Sequence, residues 1–224
     1  MYGYFYDNSN ANRDIHHICP YITFHKVQDN PTFQHGDAQA LHSALVEEPK
    51  LVKDVAHMYA QHFQHAYYDP ESGNTLEDGS DFFQHVINAA KCDHVSAVIF
   101  DWDRTLQQFE AMSTHSFDYW CHQFGAESPT QRYQFAKAVA IYHSGGTERF
   151  HKLTHMFAEL QRHGKHISIL TANPAATSPG LSVYHEILGQ WGVKYCRLGY
   201  TTHKYMTLAS DSVLSTICGP DIKF

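Results

Sequence analysis

The sequence predicts an α/β fold, a parallel sheet flanked by helices. Two observations carry that reading. Ala97 to Phe100 is an unbroken apolar run, as expected of a strand buried on both faces of a parallel sheet. From Thr147 onward, a helix, a glycine and a short strand follow one another twice: a helix over 148–163, Gly164 and a strand over 167–170, then a helix ending at Trp191, Gly192 and a strand over 193–198. Right-handed β-α-β units of a doubly wound sheet produce this rhythm.

The remaining elements follow in chain order. Tyr2, Tyr4, Phe5 and Tyr6 run into an Asn/Ser/Asp cluster, which reads as a turn or a loose end. Tyr21 to Val27 alternates as a short strand or an extended segment does. Asp37 is an N-cap candidate for a helical pattern through Leu41, Leu45, Val52, Val55, Met58 and Tyr59. Pro49 divides it into two helices, the second running to about Tyr68. Asp69 to Asn74 is a turn cluster, and Asp78-Gly79-Ser80 opens a helix with Phe82, Phe83, Val86 and Ile87 on its apolar side. Residues 1–93 thus read as a mainly helical N-terminal extension, and 94–224 as the core. Within the core, 107–146 reads as a flap and a small helical cap, or else as aromatic cover for the sheet. A last helix starts at Thr201 and Thr202, with Met206, Ala209, Val213 and Ile217 inward.

Composition excludes several classes. No apolar run among the 224 residues approaches the roughly 20 that a membrane helix needs. The polar, aromatic start lacks a signal pattern, so a soluble, cytoplasmic protein is expected. The net charge of −7 argues against bulk nucleic-acid binding. The five cysteines are scattered, with no CxxC pair, so neither a disulfide framework nor a zinc ribbon is indicated. Arg13-Asp14-Ile15-His16-His17 reads as a solvated turn rather than a metal site, His62 and His65 lack the third ligand a metal site needs, and His151 and His155, at i and i+4, lack the Glu of the HExxH pattern.

Asp101-Trp102-Asp103-Arg104-Thr105 closes the apolar run. Two carboxylates at the carboxyl end of a buried strand stand where open α/β sheets place their ligands. Burying them calls for a metal ion, a cationic partner or an altered proton affinity. The plain alternative is an acidic turn without chemistry. The strand over 167–170 ends in Thr171-Ala172-Asn173, and Lys204 falls in the first turn of the last helix. The helix dipole disfavours a cation there, so a lysine points to an anion nearby. Lys194 is its rival on the preceding strand.

Asp101-x-Asp103-x-Thr105 followed by Leu106, then Thr171, then Lys204, resembles the motif series of the haloacid dehalogenase (HAD) superfamily, whose members are mostly magnesium-dependent phosphohydrolases. The resemblance covers about Val95 to Phe224. It implies a HAD-like core in which Asp101 attacks phosphorus and Asp103 serves as acid and base. It places Thr171, Asn173 and Lys204 on the phosphate, and Mg²⁺ on Asp101 and the main-chain carbonyl of Asp103. Two departures stand out. Arg104 replaces a glycine common in the family. A fourth motif, one or two acidic residues after a further apolar strand, is missing: Asp211 falls inside the helical pattern and Asp221 precedes the presumed strand. The resemblance therefore implies a phosphomonoesterase acting on a phosphorylated small molecule and impaired or cut short before its fourth motif. The alternative is a catalytically inactive HAD-like module whose helical N-terminal region binds a partner.

Overall fold

The computed structural model describes residues 2–17, 19–29, 38–63, 67–110, 113–177, 179–201 and 204. The fold is α/β, as expected. Five parallel strands, β1 (Tyr2–Asp7), β2 (Ile22–Lys26), β4 (Val95–Phe100), β6 (His166–Thr171) and β7 (Arg197–Tyr200), lie in the order β2-β1-β4-β6-β7. Two short strands, β3 (Tyr67–Tyr68) and β5 (Phe109–Glu110), pair antiparallel outside that sheet. The helices are α1 (Ala38–Ala44), α2 (Lys50–His62), α3 (Phe82–Lys91), α4 (Phe117–Phe124), α5 (Pro129–Ser144), α6 (Thr147–Arg162) and α7 (Leu181–Gln190). None of them is long and apolar enough to cross a membrane.

The N-terminal residues differ from the expectation. They do not stand outside the core, because β1 and β2 belong to the same sheet as β4. The segment read as a loose end pairs on both sides: Tyr4 is opposite Val98 of β4, and Phe5 is opposite Phe24 of β2. The physical reason is its aromatic content, which favours a pleated, packed surface. Phe5 packs on one face with Ile15, Cys19, Ile22, Ala97, Ile99 and Leu170, beneath a 3-10 turn over Asn10–His17. Tyr6 packs on the other face with Val98, Phe100 and Ile169, against the helices. The sheet therefore crosses the expected boundary between residues 93 and 94.

Other boundaries move less. Pro49 does separate α1 from α2, but α2 stops at His62 and leaves Tyr67 and Tyr68 to a strand. The strand expected over 193–198 forms at Arg197–Tyr200. Asp81 caps α3, its side chain accepting from the Gln84 amide at 2.7 Å. Ser128 and Gln131 form a reciprocal capping box at the start of α5. Phe109, Phe117, Trp120 and Phe135 join the same apolar cluster as Val98 and Phe100, and α5 packs against α2, α6 and α7. These aromatics cover the helical layer of the sheet. Asp37, His65, and the last-helix positions Met206, Ala209, Val213 and Ile217 lie outside the described residues.

Arg149 of α6 is a buried clasp. Its guanidinium donates to Asn74 Oδ1, to the carbonyls of Gly73 and Thr105 at 2.9 Å each, and to the Leu106 carbonyl. Burial lowers its pKa to about 9. Gly73 has φ +72°, and a Cβ there would run into the Thr105 carbonyl and the guanidinium, so only glycine fits. The clasp ties the loop that follows the Asp dyad to the helical layer.

Candidate active site

The site is built where β1 and β4 end. Their register pairs Tyr6 with Phe100, and the Asp101 amide donates to the Tyr6 carbonyl at 2.8 Å. The next residue on each strand is an aspartate, Asp7 and Asp101, so parallel pairing sets two carboxylates side by side. Both are buried, at 0% and 3% exposure. Between them lies the Lys204 ammonium, 3.1 Å from Asp7 Oδ2 and in contact with Asp101 Oδ1. Asp7 also accepts from the Ser9 amide at 2.6 Å and from Asn12 Nδ2 at 2.9 Å. The Thr105 hydroxyl donates to Asp101 Oδ2 at 3.3 Å.

Asp103 stands half-buried at the mouth. Gln107 Nε2 donates to its Oδ1 at 2.7 Å, and Asn173 Nδ2 lies 3.4 and 3.3 Å from its two oxygens. Arg104 turns the chain between the dyad and Thr105 with φ +55°, the left-handed conformation that glycine adopts freely. The Arg104 guanidinium pairs with Glu110 at 3.1 Å and approaches Asp29 at 3.8 Å, while Lys26 lies 3.6 Å from Asp29. These groups line a cleft of about 440 Å³ together with Asn8, Ser9, Asn10 and Ala172.

The electrostatics follow from three carboxylates facing one buried ammonium. Burial, then Asp7, raise the Asp101 pKa to about 7 despite Lys204. Burial, then Glu110, raise Asp103 to about 6, against the bonds from Gln107 and Asn173. Burial alone would lower Lys204, but Asp101 and Asp7 more than offset it and leave its pKa raised.

Asp101, Asp103 and Lys204 therefore line one cleft. Thr171 and Asn173 end the neighbouring strand, but both are engaged within the protein. Thr171 is fully buried, and its hydroxyl accepts from the Asn173 amide at 3.0 Å. Asn173 turns its amide group to Asp103, and Ala172 is the residue of that strand end that lines the cleft. Lys194 is exposed and outside the cleft lining. Asp211 and Asp221 lie outside the described residues. Sequence reasoning missed Asp7, Asn12 and Gln107. The one signal for Asp7 was that Tyr2–Asp7, like Ser96–Asp101, is an apolar-rich run closed by aspartate.

The donor set suits a hard divalent cation. It is all oxygen, and its negative charge adds to burial in raising the proton affinities of Asp101 and Asp103. Among the described residues no three His, Cys, Asp or Glu side chains converge as a ready-made metal site. Mg²⁺ asks for less, since it takes one or two carboxylates and fills its remaining positions with water and substrate phosphate. No family model, curated protein or solved structure matches the chain.

Proposed function

We propose that this protein is a Mg²⁺-dependent phosphomonoesterase that works through an aspartyl-phosphate. The observation that carries the reading is the pair Asp7 and Asp101, set side by side on neighbouring parallel strands and bridged by Lys204. Asp7 is an acidic residue at the end of an apolar-rich strand, which is what the motif series lacks after Lys204. In this reading the missing motif precedes the others in the chain and joins them through the sheet.

Asp101 attacks phosphorus, forming an O–P bond as the bond to the leaving alkoxide breaks. Asp103, with a pKa of about 6, donates a proton to that alkoxide. It then takes a proton from the water that cleaves the aspartyl-phosphate, which returns Asp101 and releases inorganic phosphate. Lys204 stays beside Asp101 and offsets negative charge as it develops on the phosphoryl oxygens. Asp7, Asp101 and the Asp103 main-chain carbonyl would hold the Mg²⁺, which when bound neutralises phosphate charge. The cleft volume suits a small ester, and its charged and amide lining suits a polar leaving group.

The test is phosphate release from a panel of small phosphomonoesters, with and without Mg²⁺, by the wild type and Asp101→Asn. Metal-dependent release that vanishes in the variant is the expected result. Release that survives Asp101→Asn would overturn the mechanism. A second reading, a catalytically silent module, draws support from the way Lys204 already satisfies both carboxylates. It predicts that Mg²⁺ leaves the melting temperature unchanged.

A further inference from the structure

Behind Asp103, away from the cleft, lies a buried chain of polar groups in an otherwise aromatic setting. Gln107 is 0% exposed and His143 of α5 is 1% exposed. Gln107 Nε2 donates to Asp103 Oδ1 at 2.7 Å, and its Oε1 lies 2.7 Å from His143 Nδ1. Tyr59, Phe109 and Tyr142 surround the imidazole, and its Nε2 is buried with no hydrogen-bond partner among the described residues. Placing polar groups here is costly unless each contact is specific.

The donor directions are fixed by chemistry. An ionised carboxylate only accepts, so the amide nitrogen of Gln107 faces Asp103 and the amide oxygen faces His143. That oxygen also only accepts, so the proton of His143 sits on Nδ1. Burial holds the ring neutral, with its pKa lowered to about 3. A neutral ring carries one proton, which leaves Nε2 bare.

We propose that His143 and Gln107 are positioning residues that hold Asp103 for proton transfer, an inference that rests on the acid–base role given to Asp103 above. The His143 Nδ1 proton locks the Gln107 amide in one orientation. Gln107 then commits Oδ1 of Asp103, and Oδ2, with one longer contact to Asn173 at 3.3 Å, remains to exchange a proton with the substrate. Without the imidazole proton the amide can turn over and set its oxygen against the carboxylate.

The experiment compares His143→Leu, which removes the donor, with His143→Gln, which restores one, using phosphate-release kinetics and the side-chain amide resonances of Gln107. His143→Leu is expected to lower kcat on the order of tenfold with KM unchanged, the lower end of what supporting-contact losses cost. His143→Gln is expected to recover most of that loss. In the wild type and His143→Gln the Gln107 amide gives one sharp, exchange-protected pair of resonances; in His143→Leu it broadens. Equal kinetics for the two variants, or an amide that stays sharp in His143→Leu, would overturn the relay. If the wild type itself releases no phosphate, the functional reading fails, and the amide line shape alone decides whether His143 orders Gln107. If His143→Leu does not fold, Gln107→Leu serves instead, read by whether the His143 proton remains on Nδ1.

Discussion

The tips of β1 and β4 are near copies in geometry and opposites in sequence context. Each strand ends in a buried aspartate that touches Lys204. Asp101 is followed by a compact turn through Arg104 to Thr105, with Asp103 as a second acid. Asp7 is followed by a polar loop whose Ser9 amide and Asn12 side chain turn back onto it. In the proposed mechanism the β4 tip carries the groups that react, while the β1 tip is held as a fixed acceptor. A parallel sheet thus splits a charged site into a chemical half and a supporting half contributed by strands far apart in the chain.

The largest expected effect comes from removing what both tips share. Lys204→Met leaves two adjacent buried carboxylates without a cation, a change that costs about 3 kcal/mol or more. Thermal melts at pH 8 should show it. The deficit should shrink as the pH falls toward 7, because without the ammonium Asp101 takes up its proton at a higher pH than in the wild type, where Lys204 holds its pKa down to about 7. A melting temperature that matches the wild type at pH 8 would mean that Lys204 does not bridge the tips.

Asp7→Asn separates the halves. It leaves the nucleophile in place and weakens the cation site, so half-saturation by Mg²⁺ should move upward by about 10- to 100-fold, at least what outer-shell losses cost. The gain in melting temperature that Mg²⁺ brings by binding the folded state should fall in parallel. An unchanged Mg²⁺ requirement would break the comparison, because the β1 tip would then have no part in the cation site.

Asp101→Asn should destroy turnover yet stabilise the fold at neutral pH. The folded-state pKa of Asp101 is raised, so the folded state binds the proton more tightly than the unfolded chain does between about pH 4 and 7. Stability is therefore lost as the pH rises through that window. A neutral amide avoids the loss, with a gain on the order of 1–2 kcal/mol at pH 8, typical of relieving a strained functional site. The gain should fade at pH 4. Equal gains at both pH values would show that burial of charge is not its source.

The smallest effect concerns the turn found only at the β4 tip. Arg104→Gly removes a left-handed arginine, which should add about 1 kcal/mol of stability. Its ion pair with the half-exposed Glu110 offsets little of this. Denaturant melts would measure the difference, and a loss of stability would mean that the Arg104 pairs outweigh the backbone strain.

The β4 half was legible because an apolar run and an acidic dyad are both local patterns. Lys204 was legible because a cation in a first helical turn is out of place. Asp7 was not, for two physical reasons. Gly3 interrupts a short aromatic run, so the strand signal is weak. Chain order also directed the search for a further acid to Asp211 and Asp221, whereas neighbours in a parallel sheet need not be neighbours in sequence. Thr171 and Asn173 were expected on the phosphate, but the Thr171 hydroxyl accepts from the main-chain amide of Asn173 and the Asn173 side chain turns to Asp103, contacts that no linear pattern displays.

The bridge at Lys204 also bears on how the protein is made. Lys204 meets Asp101 across 103 residues and Asp7 across 197. Contacts of such separation form late, because most of the chain must be ordered before its distant segments can close on one another. During synthesis, Asp7 and Asp101 are laid down long before their counter-ion leaves the ribosome, at roughly 5–20 residues per second. Until then the two carboxylates have each other but no lysine, and mutual repulsion keeps the strand tips apart. Closure of the β1 and β4 tips around the cleft is thus timed to the arrival of Lys204.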